Sequence, residues 1–214
     1  MRTRENKAVS QPDGSGLGQQ IVDRAREQFI ARGFNTITMD DICAGLHISK
    51  KTLYTYFRSK EELFEFALDQ TIAGIEAEFD GIIKNTRLGV LERISALMDL
   101  EKRGYSCLSR PLLEDIRRYA PAAWERITAA KSHNLKELSV IIDAGIREGL
   151  FRPEMDVEMG LNLYEELIRA ALSPDFLIRN NYSAAAVNSA ILHLFLRAML
   201  TDKGRATARQ KGLV

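Results

Sequence analysis

Apolar residues recur at the three- and four-residue spacing of one helical face along most of the chain, and no stretch alternates convincingly as a β-strand does. The first stripe contains Ile21, Ala25 and Phe29, and Gly33 is a typical C-terminal stop for that helix. The pattern therefore predicts an all-α chain of about nine helices.

Helix-starting residues follow in quick succession after this first helix. Thr38 with Asp41 three residues later predicts a capping box that opens a short second helix. Ser49 is placed to cap a third helix that runs to Phe57, and Ser59 with Glu62 predicts the start of a longer one. The connection between the second and third helices has the length found in a helix-turn-helix.

The remaining sequence predicts a second, larger helical domain. Its predicted helices span residues 88–101, a segment opened by Pro111, a segment from Pro121 to about Glu148, residues 157–173 and residues 183–201. We expect a flexible leader at 1–18, a small helix-turn-helix domain at 19–65, a helical domain at 66–202 and a basic, unpatterned and frayed tail at 203–214.

Composition places the chain among globular proteins, with 214 residues of which 45% are hydrophobic and 28% charged. No run reaches the roughly 18 apolar residues of a membrane span, and no apolar segment follows the first basic residues, so we expect a cytoplasmic protein. Cys43 and Cys107 lie far apart, which favours reduced thiols over a disulfide or a zinc cluster.

Charge supports nucleic-acid binding only locally, because the formal net charge is +1. From Ile42 to Lys60 no residue is acidic and four are basic: Lys50, Lys51, Arg58 and Lys60. Projection of the third helix puts Leu53 and Phe57 on its inner side, and Lys51 and Thr55 on the opposite side. The residues therefore favour a helix that enters a major groove, and the alternative is a small bundle with a solvated lysine face.

Two strings in this region, TMDDIC from Thr38 to Cys43 and LHISKKTLYTYFRSKEEL from Leu46 to Leu63, resemble the DNA-binding domain of tetracycline-repressor (TetR) type regulators. The resemblance implies a homodimer whose two third helices enter successive major grooves. It also implies phosphate or base contacts by Thr38, Ser49, Lys50, Lys51, Thr52, Tyr54, Tyr56 and Lys60. The helical projection adds Thr55.

The chain departs from the family pattern at two positions of this region. The family often has glycine where this chain has His47, and alanine where it has Cys43. We therefore expect His47 to adopt a positive φ, which histidine tolerates better than a β-branched residue does.

Basic residues near both ends leave two interpretations open. Arg2, Arg4 and Lys7 form either a minor-groove arm or a disordered leader with only non-specific attraction to DNA. The same alternatives apply to the basic tail residues Lys203, Arg205, Arg209 and Lys211.

For the larger domain, the resemblance implies that the last two long helices pair with those of a second subunit, and burial within a monomer is the alternative. The candidate interface residues are Leu161, Leu167, Val187, Ile191, Leu194, Phe195 and Ala198. A pocket for an apolar or amphipathic small molecule is implied by the resemblance alone, and simple core packing is the alternative. Its candidate lining residues are Met98, Tyr105, Cys107, Leu113, Trp124, Tyr164 and Ile168.

An enzyme has little support, because His47, His133 and His193 are dispersed and no glycine-rich phosphate loop follows a strand. We expect no cofactor and no metal. Three hypotheses remain: a ligand-responsive repressor, a DNA-binding regulator that answers to a protein partner without a small molecule, and a helical enzyme or carrier.

Overall fold

A computed structural model describes residues 16–213, apart from the side chains of His133, Leu135 and Lys136. This part of the chain folds into eleven α-helices without a β-strand, which confirms the all-α prediction. The helices are α1 (Leu17–Arg32), α2 (Met39–Leu46), α3 (Lys50–Leu53), α4 (Lys60–Lys84), α5 (Val90–Ser106), α6 (Arg110–Tyr119), α7 (Pro121–Arg147), α8 (Val157–Ala171), α9 (Pro174–Asn180), α10 (Ala184–Met199) and α11 (Asp202–Gln210).

The helices group into two compact units that divide between Thr71 and Ile72, inside the residue range of α4. The predicted limits of the leader, the two domains and the tail stay predictions. Arg2, Arg4 and Lys7 lie outside the described residues. None of the helices in the described part of the chain is long and apolar enough to cross a membrane.

The first unit packs α1, α2, α3 and the beginning of α4 around one apolar core. Phe29, Phe34 and Phe64 form an aromatic cluster with ring centroids 4.9–5.7 Å apart. Aromatic pairs at this spacing contribute beyond their buried area. The fully buried side chains of this core are Ile21, Val22, Ile37, Ile42, Leu53 and Leu63.

The predicted helix starts of this unit are confirmed, because each depends on contacts over only three residues. The Asp41 amide donates to Thr38 Oγ1 (3.2 Å), and Asp41 Oδ2 accepts from the Thr38 amide (2.8 Å). Ser49 Oγ accepts from the Thr52 amide at 3.0 Å, and Ser59 Oγ accepts from the Glu62 amide at 3.0 Å. These bonds satisfy amides that have no partner within the first helical turn.

Two helix boundaries differ from the prediction. α1 begins at Leu17, within the leader predicted for residues 1–18, and Gly18 is buried. α3 ends at Leu53, and the chain then continues to Phe57 in turns closed by short-range backbone hydrogen bonds. The prediction of a regular helix to Phe57 was therefore wrong, although Leu53 and Phe57 are both buried as the projection required.

His47 ends α2 in the left-handed conformation, with φ 54° and ψ 37°, as its position in the sequence predicted. We expect His47→Gly to raise the free energy of unfolding by about 0.5 kcal/mol or more, measured by urea denaturation. The left-handed conformation costs a non-glycine residue about 1–2 kcal/mol, and the extra chain entropy of glycine offsets only part of that gain.

The matched control is Ala44→Gly, an exposed position inside α2 with right-handed geometry. Glycine there should lower the free energy of unfolding by about 1 kcal/mol. Equal losses of stability at positions 44 and 47 would contradict a strained backbone at His47.

The second unit has its largest core between α5, α7 and α10, with contributions from α4, α8 and α11. Its fully or almost fully buried side chains include Val90, Leu91, Ile141, Ile142, Phe151, Leu196, Leu200 and Ala208. A second cluster centred on α8, α9 and α10 contains Leu113, Tyr164, Ile168, Leu172, Leu177, Ala184 and Ile191. Three candidate pocket residues, Leu113, Tyr164 and Ile168, and one candidate interface residue, Ile191, are therefore part of this unit's own core.

Two helices of this unit are additional to the nine that the sequence predicted. α9 occupies a segment that was interpreted as a break because it contains Pro174 and a pair of asparagines. Pro174 instead takes the first turn, where its missing N–H costs nothing, and Ser173 Oγ accepts from the Phe176 amide at 3.4 Å. Asn181 ends α9 with φ 55°.

The expectation of a frayed basic tail was wrong, because residues 202–210 form α11. Thr201 Oγ1 accepts from the Gly204 amide at 3.0 Å, and Ala208 and Leu213 are buried. The basic side chains are also engaged: Lys203 Nζ donates to the Glu148 carbonyl at 2.8 Å, Arg205 lies 3.5 Å from Asp202, and Lys211 lies 2.8 Å from Glu92. Small buried residues give no hydrophobic stripe, so the sequence pattern missed this helix.

Candidate nucleic-acid interface and core cavities

The segment from Ser49 to Thr55 forms a polar surface on the first unit. Leu53 faces the core, whereas Lys51, Tyr54 and Thr55 are exposed. The exposed positions of Lys51 and Thr55 confirm the helical projection. This short surface brings together six of the candidate contact residues: Ser49, Lys50, Lys51, Thr52, Tyr54 and Thr55.

The hydroxyl groups of this surface are held by local hydrogen bonds. Ser49 Oγ and Thr52 Oγ1 lie 2.8 Å apart, and Thr55 Oγ1 donates to the Thr52 carbonyl at 2.6 Å. These contacts fix the side chains before any partner binds. Binding then costs less side-chain conformational entropy. The hydroxyl side chains of this surface are therefore preorganised.

Lys50 is paired with Asp40, a contact that the sequence pattern did not predict. Lys50 Nζ lies 2.7 Å from Asp40 Oδ2, and both side chains are largely exposed. An exposed pair of this kind contributes at most about 1 kcal/mol, so a phosphate can compete for the lysine. Asp40 precedes the acid-free stretch that begins at Ile42, and its carboxylate reduces the positive potential there.

Thr38 lies at the start of α2, and its hydroxyl takes part in the capping box. Thr38 Oγ1 donates to Asp41 Oδ2 at 2.6 Å. This hydrogen bond is the main reason that the pKa of Asp41 is lowered, and the Thr38 backbone amide adds to the effect. The hydroxyl hydrogen of Thr38 is thus already committed, which leaves the oxygen as an acceptor.

Lys60 binds its own unit. Its Nζ donates to the carbonyls of Phe34 and Ile37, each at 2.9 Å, and lies 4.3 Å from the centroid of the Phe34 ring. The ammonium therefore holds the connection between α1 and α2 at the point where Thr38 begins α2. Long-range contacts of this kind give no signal in a local sequence pattern. For Lys60 the family resemblance implied a phosphate or base contact.

We expect Lys60→Met to lower the free energy of unfolding by about 2–4 kcal/mol in urea denaturation. Hydrogen bonds from a charged donor are worth about 1.5–3 kcal/mol each, and the methionine stem keeps part of the packing. Lys51→Met, which changes an exposed lysine of the same unit, is the control and should change stability by less than about 0.5 kcal/mol.

The alternative for Lys60 is a phosphate contact, which predicts a different result. Operator binding by Lys60→Met would then lose about one unit of salt slope while the free energy of unfolding stayed unchanged. That outcome would contradict the structural role that we assign to Lys60.

The second unit contains small cavities that involve most of the candidate pocket residues. Met98 and Tyr164 line a cavity of about 60 Å³. Tyr105, Trp124 and Ile168 line one of about 20 Å³. An open cleft of about 410 Å³ is lined in part by Leu113 and again by Tyr105, whose side chain thus separates the cleft from the smaller cavity.

Cys107 lines none of these three spaces within the described residues. Its Sγ donates to the Arg103 carbonyl at 3.6 Å, one turn earlier in the same helix. The structure therefore gives no support to Cys107 as a pocket residue.

A polar cluster surrounds Lys131 of α7, which lines both of the smaller cavities. Its ammonium forms an ion pair with Glu101, donates to the Asn188 side-chain oxygen at 3.4 Å, and lies 4.9 Å and 5.6 Å from the ring centroids of Tyr105 and Tyr164. Burial, and then the charge of Glu101, raise the pKa of both tyrosines, which stay neutral at physiological pH. Sequence reasoning missed Glu101, Lys131 and Asn188, because they lie on three different helices.

An exposed apolar stripe runs along α8 and includes Met159, Leu163 and Leu167 at four-residue spacing. Leu163 is 60% exposed, and Leu194 of α10 is 62% exposed. The candidate interface residues differ in position. Leu167, Leu194 and Ala198 are exposed, Ile191 is buried in the unit's own core, and Leu161, Val187 and Phe195 are half-buried against that core.

Comparison with known proteins identifies a matching family and several related sequences. Residues 21–67 match the family described as "Bacterial regulatory proteins, tetR family". The uncharacterized HTH-type transcriptional regulator YvaF of Bacillus subtilis (strain 168) is 24% identical over 172 residues, which cover 80% of this chain and 90% of that protein. The HTH-type transcriptional repressor KstR2 of Mycobacterium tuberculosis (strain CDC 1551 / Oshkosh) is 27% identical over 145 residues, which cover 65% of this chain and 72% of that protein.

A similar fold is found in a crystal structure of a transcriptional regulator from Cytophaga hutchinsonii ATCC 33406. The TM-score is 0.65 at 20% sequence identity, with 88% of this chain and all of that chain covered. At this identity the likeness concerns the fold alone. The polar surface from Ser49 to Thr55 lies within residues 21–67, which match the tetR family.

Proposed function

We propose that this chain, which belongs to the TetR family of bacterial regulatory proteins, represses transcription as a homodimer on a two-fold symmetric operator and is released by a small molecule. The observation that supports this most is the preorganised polar surface from Ser49 to Thr55, with Lys51 and Thr55 exposed opposite the buried Leu53. A helix presented in this way exposes its polar side chains to a major groove.

The dimer is supported by the apolar surface of α8 and α10. Met159, Leu163, Leu167 and Leu194 are large exposed side chains on two helices of one unit, and large exposed apolar surfaces mark interaction sites. A two-fold interface buries the same patch from both subunits and gives the two α3 helices the symmetry of an operator. We therefore assign the interface to the exposed residues of these helices and exclude Ile191, which packs inside its own subunit.

Release by a small molecule is supported by the cavities of the second unit. The two smaller cavities, of about 20 Å³ and 60 Å³, are below the roughly 300 Å³ of a ligand pocket, so a ligand has to enlarge them. A ligand shifts the protein toward whichever conformation has the larger cavity. Operator affinity falls if that conformation spaces the two α3 helices wrongly for successive grooves.

Fluorescence anisotropy with a labelled two-fold operator tests this function. We expect tight binding by a dimer and a fall in affinity on addition of a small molecule that binds the second unit. Binding that no small molecule changes, but that another protein alters, would favour the alternative of a regulator controlled by a protein partner.

We expect Lys51→Ala to weaken specific operator binding by about 1–3 kcal/mol and to relax base preference at one position, if the lysine contacts a base. Anisotropy titrations against the operator and single-base variants measure both effects. Lys102→Ala, an exposed lysine of α5, removes the same charge from the second unit and is the control. An equal loss on every sequence would show that Lys51 contacts phosphate only.

A further inference from the structure

The Lys131 cluster is the main polar feature inside the apolar second unit, and its donors and acceptors do not balance. An ammonium can only donate hydrogen bonds, so the Asn188 side-chain oxygen has to face Lys131. The amide nitrogen, Nδ2, is then left as a donor. Asn188 is 0% exposed, and none of the described residues accepts a hydrogen bond from its Nδ2.

An unsatisfied buried donor of this kind is rare in native proteins and calls for an explanation. Lys131 lies next to this donor: its Nζ donates to Glu101 and Asn188, and its remaining N–H is near the rings of Tyr105 and Tyr164, with no further oxygen partner among the described residues. An oxygen acceptor placed beside Asn188 Nδ2 can therefore also accept from Lys131. The described residues provide no such acceptor for Asn188 Nδ2.

The charges of the cluster indicate whether that acceptor is ionised. Lys131 is neutralised by Glu101. Beside the smaller cavity, Arg169 lies 3.0 Å from both Glu165 and the exposed Glu166. Next to the neutral Glu101–Lys131 pair, an anionic or a cationic ligand would place an additional unpaired charge in a buried site. Both arrangements are costly in a poorly hydrated interior, so the charge balance favours a neutral ligand.

The surroundings of the two donors are apolar. Lys131 lines both of the smaller cavities. Asn188 itself lines neither, but Leu192, one turn later on α10, lines the cavity of about 60 Å³. The remaining apolar walls of that cavity are formed by Phe79, Ile94, Leu97, Met98 and Leu138. This lining suits an aliphatic or alicyclic body rather than a polar one.

From these observations we propose that the second unit binds an uncharged, mainly aliphatic molecule through a carbonyl oxygen, which accepts hydrogen bonds from Asn188 Nδ2 and Lys131 Nζ. The inference rests on the proposed function, because it names the class of ligand that acts there. Tyr105 lines both the open cleft and the inner cavity, so displacement of its ring gives such a molecule a path to the cluster.

Trp124 is the only tryptophan of the chain and lines the cavity next to Lys131, so its fluorescence reports binding to the purified protein. Four probes of similar chain length differ only in the head group: 2-undecanone, undecane, decanoate and decylamine. We expect 2-undecanone to bind about tenfold or more tightly than each of the others, since two hydrogen bonds to buried donors distinguish it.

Asn188→Leu removes the unmet donor and should abolish the preference for 2-undecanone over undecane. Asn180→Leu, an exposed change of the same type on α9, is the matched control and should keep it. If Asn188→Leu does not fold, the comparison of the four probes with the unmodified protein still decides the question. Tighter binding of decanoate or decylamine, no binding of any probe, or a ketone preference that persists in Asn188→Leu would overturn the inference.

Anisotropy with the labelled operator, in the same samples, separates this inference from the proposed function. Ketone binding that depends on Asn188 but leaves the operator complex intact would support the carbonyl site and contradict release by this ligand. Operator release by a charged ligand, without ketone binding, would support the proposed function and overturn the carbonyl site.

Discussion

Replacement of both Leu163 and Leu194 by arginine is expected to convert the protein to a monomer and to weaken specific operator binding by at least about a hundredfold. The two side chains are 60% and 62% exposed in one subunit, so the arginines do not disturb its own core. In a two-fold interface the arginines of both subunits would be removed from water, and the desolvation of these charges opposes association. A monomer presents one α3 helix and binds an operator with an affinity closer to the non-specific range.

Sedimentation velocity measures the association state, and operator anisotropy measures the affinity. Tyr119→Arg with Val140→Arg is the matched control, since it changes two exposed hydrophobic residues on α6 and α7. This control should remain a dimer with unchanged affinity. A Leu163→Arg/Leu194→Arg protein that stays dimeric would exclude the α8 and α10 surface as the interface.

Gly204→Ala should lower the free energy of unfolding by about 2–3 kcal/mol. A Cβ atom at this position would overlap the carbonyl oxygen of Leu150 and the side chain of Leu200, so the backbone has to move. α11 would then separate from the connection between α7 and α8, where Thr201 Oγ1 donates to the Gly149 carbonyl at 2.8 Å. Forced overlaps in packed regions cost about 1–3 kcal/mol, and more where backbone is involved.

Urea denaturation and protection of the α11 amides from hydrogen exchange test this result. Gly81→Ala in α4 is the matched control, because a Cβ there meets nothing within 4 Å. Alanine at position 81 should stabilise the helix by about 0.5–1 kcal/mol. An unchanged stability in Gly204→Ala would show that α11 is not held closely against the α7–α8 connection.

Tertiary contacts account for the parts of the site that the sequence did not predict. Lys60 bonds to carbonyls 26 and 23 residues away, so its role depends on the packing of the first unit. Lys131 and Asn188 are 57 positions apart and meet only because α7 and α10 pack in one core. Local patterns carry no information at such separations.

The apolar helices α8 and α10 also show what a local sequence pattern cannot predict. Their hydrophobic residues surround much of the helix, which indicates burial on two sides but does not distinguish the subunit's own core from an interface. Only the packing separates the buried Ile191 from the exposed Leu194.

The sequence pattern predicted a chain of helices with a helix-turn-helix near its start. That prediction depended on features that act over three or four residues. The capping box of Thr38 and Asp41, the Ser49 cap and the positive φ of His47 are set by local backbone geometry, and a linear pattern contains all of them. The length of α3, the formation of α11 and the Lys131 cluster were decided by tertiary structure. The Lys131 cluster and the packing of α11 depend on contacts between distant residues, whose energy exists only once the helices have packed.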